Sequence, residues 1–149
     1  MAEPVGARRR IDVLEAVRAE VTPGLSDLTV IAFGSLSEVI EPGQRLPEPA
    51  GGTALHRALV EAARFQPQQV VIISDGLPDD REAALAAARA LGCQIITYHC
   101  GDEIDFPATS FLRALAWCSS DGRGFTSIAD LRKPERLKSE LRLLLAGPR

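Results

Sequence analysis

Two short stretches of the chain hold residue types that could bind a ligand. "GGT" (Gly51, Gly52, Thr53) opens a helical pattern, and "SDG" (Ser74, Asp75, Gly76) closes an apolar run. A threonine in front of a helix serves as its N-cap, its oxygen accepting from an amide two or three residues on. The same hydroxyl can ligate a metal or an anion, and both readings stand at this point. Gly51 and Gly52 suit either one, through close backbone approach or a positive φ. Asp75 could close an Asx-turn into Gly76. A carboxylate at a strand's carboxyl end, facing a Gly-Gly-Thr loop, is better explained as a site residue.

The remaining polar residues have plainer readings. Asp79 with Glu82 three residues later is a capping pair, and Asp79 and Asp80 together put negative charge at a helix N-terminus. Ser35 and Ser37 follow a strand as turn formers, although Ser35, like Ser74, is placed to support a ligand at the site. His99 and Cys100 are neighbours at a strand end, so their side chains are expected on opposite faces. Cys93, Cys100 and Cys118 match no strong zinc spacing and are expected to be buried or half-buried thiols. Trp117, the only tryptophan, follows Leu112 and Leu115 in a helical pattern and is expected in the core. Asp75 and Asp79 could hold magnesium for phosphoryl transfer or hydrolysis. Against that, no lysine follows "GGT" as a phosphate loop requires, and no nucleophile–base pair is evident.

A chain of 149 residues suffices for one domain with a sizeable core. Hydrophobic residues make up 46% and charged residues 25%, as in ordinary soluble proteins. A net charge of −3 provides no field for a polyanion, so nucleic acid is not an expected partner. No apolar run approaches a membrane span, no leader-like core stands at the start, and three unevenly spaced cysteines suit a reducing compartment. The cytoplasm is the expected location. "RRR" (Arg8 to Arg10) reads as the solvated start of a helix.

Apolar periodicity predicts a first helix through "RRRIDVLEAVRAEV", with Ile11, Leu14, Val17 and Val21 inward. "LTVIAF" (28–33) reads as a strand covered on both faces, with "SEVIE" as a brief edge strand. A helix follows on Leu55, Leu59 and Ala62. "QVVIIS" (69–74) is a buried strand, and "DDREAALAAARALG" is a helix closed by Gly92. "QIITYH" (94–99), "SFLRALAWC" and "GFTSIA" (124–129) read as strand, helix and strand. "PERLKSELRLLLA" ends the chain as a helix, with Leu137, Leu141 and Leu144 inward. Alternating strands and helices predict an α/β fold of three α-β-α layers, with a mostly parallel, doubly wound sheet. Ligands of such sheets bind beyond the carboxyl ends of the strands.

The order "VIAFGS", Pro-rich loop, "GGTALHRAL", "VVIISDGLPDD", "IITYHCG", "FLRALA", "DGRGF" resembles that of von Willebrand factor A domains across nearly the whole chain. The resemblance implies a Rossmann-like interaction or scaffold module, not an enzyme, with a metal-ion-dependent adhesion site on top of the sheet. Thr53 matches the family's metal-binding threonine and Asp75 its aspartate, around Mg2+ or Mn2+. A protein partner's acidic side chain would complete the coordination. The family's Asp-x-Ser-x-Ser motif is absent, as is the central first strand that carries it. The implied site is therefore incomplete in this chain.

That departure carries its own expectation. The family motif often runs on as Gly-Ser-Met, and Met1 stands just before the first helix. The natural protein is thus expected to begin upstream, with an apolar strand ending in Asp-x-Ser-Gly-Ser. The alternatives are a strand borrowed from a partner or second copy, and a sheet closed differently. Rival functions are a metal-dependent phosphoryl-transfer or hydrolytic enzyme using Asp75 and Asp79, and a metal-free scaffold.

Overall fold

The structure is a computed structural model that describes residues 4–5, 8–25, 27–34, 36–41, 43–47, 52–101 and 106–145. Gly51 and Ser35, both singled out above, lie outside them. The described elements, in chain order, are β1 (Pro4–Val5), β2 (Arg8–Arg9), α1 (Arg10–Val21), β3 (Val30–Phe33), β4 (Ser37–Ile40) and α2 (Leu55–Ala63). They continue with β5 (Gln69–Ser74), α3 (Arg81–Leu91), β6 (Gln94–His99), α4 (Phe106–Ala116), β7 (Phe125–Ile128) and α5 (Pro134–Leu145). The chain is thus mixed α/β, with helices flanking a parallel sheet of order β5-β6-β7. Two smaller sheets stand apart, β1 with β2 and β3 with β4. Among the described residues no helix is long and apolar enough to cross a membrane.

Contacts divide the chain into two compact units. The first comprises 1–30, 39–49 and 129–149. In it α1 packs on α5 through Val13, Leu14, Val17 and Val21 on one helix and Leu137 and Leu141 on the other, all buried. Val13 takes the inward place expected of Ile11, which is half-buried. Arg8 and Arg9 do not begin the helix: they pair antiparallel with Pro4 and Val5, and α1 starts at Arg10.

The second unit comprises 31–38 and 50–128 and contains the parallel sheet. Its core gathers Leu55 and Leu59 of α2, Ile72 of β5, Ala84, Leu85 and Ala88 of α3, Ile95 of β6, and Phe111, Leu112 and Leu115 of α4. Phe33 of β3 packs against the same cluster. Every residue of β6 from Ile95 to His99 is buried. Neighbouring strand residues face opposite ways, so this central strand is covered on both faces. β3 is shorter than the apolar run implied and only half-buried along its length. Among the described residues its one strand partner is β4.

Trp117 is a correction. It is 75% exposed, just past the last residue of α4. The buried stripe of that helix is Ala108, Phe111, Leu112, Leu115 and Ala116. Five residues beyond Leu112, at about 100° per residue, position 117 has turned off that stripe. The thiols are as expected, with Cys93 and Cys100 buried and Cys118 half-buried. Burial pushes the Cys93 and Cys118 thiols up, the latter against the pull of nearby Arg89.

Candidate functional site

The Thr53 loop and the Asp75 loop meet at the carboxyl end of β5. Thr53 donates its backbone N–H to Asp79 Oδ1 at 2.9 Å, and Asp79 returns its own N–H to the Thr53 carbonyl at 2.9 Å. This reciprocal pair fastens the "GGT" segment to the loop that carries Asp75. The next residue extends the brace, since Ala54 N–H donates to the Gly34 carbonyl at 2.6 Å, just past the end of β3. Gly52 enters the loop at φ +69°, a conformation that glycine adopts without penalty.

Two sequence readings change here. The N-cap of α2 is Ala54, with no side-chain cap bond, so the Thr53 hydroxyl is not the helix cap. The N-cap of α3 is Asp80, whose Oδ1 accepts from Ala83 N–H at 3.0 Å. Asp79, expected to cap, instead clasps Thr53. The cause is a one-residue offset. The first residue of α3 is Arg81, so the capping place falls on the second of two adjacent aspartates and the first is left to face the neighbouring loop.

Asp75 is half-buried, one residue past the end of β5. Ser74 is buried, and its hydroxyl makes two long contacts with Gly76, Oγ to the carbonyl at 3.4 Å and from the amide at 3.5 Å. Gly76 has open space where a Cβ would sit, and its φ is not positive. On the other side the loop after β6 closes in. Cys100 N–H donates to the Ser74 carbonyl at 3.0 Å. A Cβ on Gly101 would lie 2.6 Å from the Asp75 carbonyl oxygen and 3.0 Å from His99 Cε1. Gly101 therefore sets how near the two loops come. The sequence reading missed Gly101 and gave Asp79 a different role; the cue for Gly101 was a glycine two residues past a strand's end, in "HCG".

Thr53 and Asp75 would offer a cation one hydroxyl and one carboxylate. Both are hard oxygens, which suits Mg2+ or Mn2+ in kind. Two ligands leave most of an octahedral shell to water or to a partner. Among the described residues no three His, Cys, Asp or Glu side chains gather closely enough to hold a metal ion. No protein-family profile matches the chain, and no curated protein matches it.

Proposed function

We propose that the chain is a protein-interaction module of the von Willebrand factor A type, a three-layer, doubly wound cytoplasmic scaffold rather than an enzyme. Thr53 and Asp75 form part of a metal-ion-dependent adhesion site in which Mg2+ or Mn2+ bridges to an acidic side chain of a protein partner. The observation that supports this best is the Thr53–Asp79 clasp. It holds the threonine loop against the aspartate loop at the carboxyl ends of the strands, where open α/β sheets bind ligands. The clasp engages one of the two Asp79 carboxylate oxygens and leaves the other open, so the rival enzymatic reading is left to the experiment.

Because few protein oxygens are available, affinity in the absence of a partner is weak, about millimolar or poorer. Paramagnetic broadening by Mn2+ tests the assignment on the intact chain. Added at millimolar concentration, Mn2+ should broaden the amide signals around Thr53 and Asp75 first, and a glutamate-bearing peptide should enhance the effect. Asp75→Asn should abolish it. Broadening centred elsewhere, or none with the peptide present, would leave the metal-free scaffold as the better account.

A further inference from the structure

We propose that Trp117 and Phe125, with Arg89, Arg113 and Arg123 beside them, form a docking surface for a short acidic segment of a partner protein that carries an apolar side chain between its carboxylates. The surface lies at the amino ends of the parallel strands, the opposite end from Thr53 and Asp75. It needs no metal and stands apart from the adhesion-site reading.

The backbone brings these residues together. α4 leads from the end of β6 to the start of β7, so its last turn lies at the end where Phe125 begins β7. Gly124 is pressed against that turn, since a Cβ on it would overlap the Ala116 carbonyl oxygen. Phe125 and Trp117 directly follow the two residues in this contact. The connection between them is anchored to the start of β6. Ser120 N–H donates to the Cys93 carbonyl at 3.1 Å and Gln94 Nε2 to the Arg123 carbonyl at 3.4 Å. Arg113 stands one helical turn before Trp117, whose N–H it accepts at 3.0 Å. Arg123 stands two residues before Phe125. Arg89, in the last turn of α3, is near enough to Cys118 for its charge to act on that thiol.

The chemistry of the occupant follows from what is exposed. Trp117 is 75% and Phe125 44% exposed, and the three arginines are exposed as well. Among the described residues no carboxylate pairs with any of the three guanidinium groups. The acid of the loop, Asp121, accepts from the Arg123 backbone N–H at 2.9 Å. The surface is therefore cationic in a chain of net charge −3. Helix dipoles account for Arg89 and Arg113, which sit in the last turns of α3 and α4. They do not account for Arg123, outside any helix, or for two exposed aromatics on one anchored loop. Tryptophan and arginine together are the composition of protein-interface centres. The aromatics would bury an apolar side chain, and the guanidinium groups would take carboxylates on either side of it. A nucleic acid calls for a longer cationic track and a steering field that this chain lacks. Lipid headgroups call for clusters of about four to eight basic residues.

Trp117 is the only tryptophan, so its fluorescence reports on this surface alone. The probe is a peptide with a Leu-Phe pair flanked by glutamates, which adds no tryptophan signal. Titrated into the full chain, it should shift the emission saturably to shorter wavelength. Raising salt from about 50 to about 500 mM should weaken binding at least ~3-fold. Lysines in place of the glutamates should abolish the shift, and serines in place of Leu-Phe should weaken binding at least ~10-fold. Arg113→Glu with Arg123→Glu should abolish binding and leave the thermal midpoint unchanged, since both side chains are exposed. Should that variant unfold, Arg113→Gln with Arg123→Gln takes its place and should weaken binding at least ~10-fold. The proposal is overturned if no saturable shift appears, if the lysine peptide binds as well, or if the arginine variant binds like wild type. Tighter binding of phosphatidylserine vesicles or of single-stranded oligothymidylate than of the peptide would also overturn it. So would a shift that follows protein concentration alone as dimers form. A Trp117 already shielded from acrylamide in the chain by itself would mean that another segment of the same chain covers the surface, and the proposal would fall.

Discussion

Adjacent aspartates with the same intrinsic preferences do different work here. Asp80 caps α3, whereas Asp79 holds Thr53. Asp80→Ala should cost about 1 kcal/mol as a lost N-cap. Asp79→Ala removes one charged acceptor at an exposed position and should cost a similar ~1 kcal/mol. Its distinguishing effect is on the Thr53 amide, which should lose exchange protection in Asp79→Ala and keep it in Asp80→Ala. Equal protection in the two variants would mean that the clasp is not what orders the loop. Thr53→Ala should change stability by less than ~0.5 kcal/mol, because the loop is held through the backbone and Ala54 is the cap. Gly101→Ala is expected to be worse than any of these. Its methyl would overlap the Asp75 carbonyl oxygen, so one loop must shift at a cost of roughly 1–3 kcal/mol. Denaturant midpoints for the four variants check the order. None of this division of labour was legible in "SDGLPDD", because choosing between the aspartates depends on where the neighbouring loop lies.

At the scale of elements, legibility followed burial. "QVVIIS" and "QIITYH" are strands over the residues expected, since a continuous apolar run bounded by polar residues admits few other solutions in a parallel sheet. The alanine-rich α3 ends where its glycine predicts, at Gly92 with φ +62°. Gly92→Ala should accordingly cost about 1 kcal/mol, read from the thermal midpoint; no loss would mean the turn tolerates a side chain. Strand β3 was overestimated because "LTVIAF" has the composition of a covered strand, whereas among the described residues it pairs with β4 alone and is half-buried. Composition reports what a strand can bury, not how many neighbours it finds. The arginine run at residues 8–10 shows the converse, since helix-compatible residues at Arg8 and Arg9 are drawn into a two-residue ladder.

For the molecule as a whole, the first unit is the part that pH should reach. Its three chain segments are joined by charged groups distant in sequence. Lys138, with a side chain only 8% exposed, binds Glu20 and Glu135 at 3.0 Å each, and those hydrogen bonds raise its pKa above 10.5. That contribution is full at neutral pH and is lost as pH rises from about 10.5 through the raised value. Glu15 acts at the acid end. Its carboxylate pairs with Arg18 and accepts from Leu46 N–H at 2.8 Å, tying α1 to a segment about thirty residues away. The Arg18 hydrogen bond, aided by that amide and opposed by burial, holds the carboxyl below its ordinary 4.5. A depressed folded pKa stabilises above the unfolded value, and the stabilisation is lost as pH falls through the folded one. Glu15→Gln should therefore destabilise by about 1 kcal/mol at pH 7, with the gap from wild type closing as pH drops below 4.5. Urea titrations of both proteins across that range check it. A gap that stays constant down to about pH 3 would show that Glu15 acts through shape and neutral hydrogen bonding, and the ion pair would then have no part in holding α1 to the segment at Leu46.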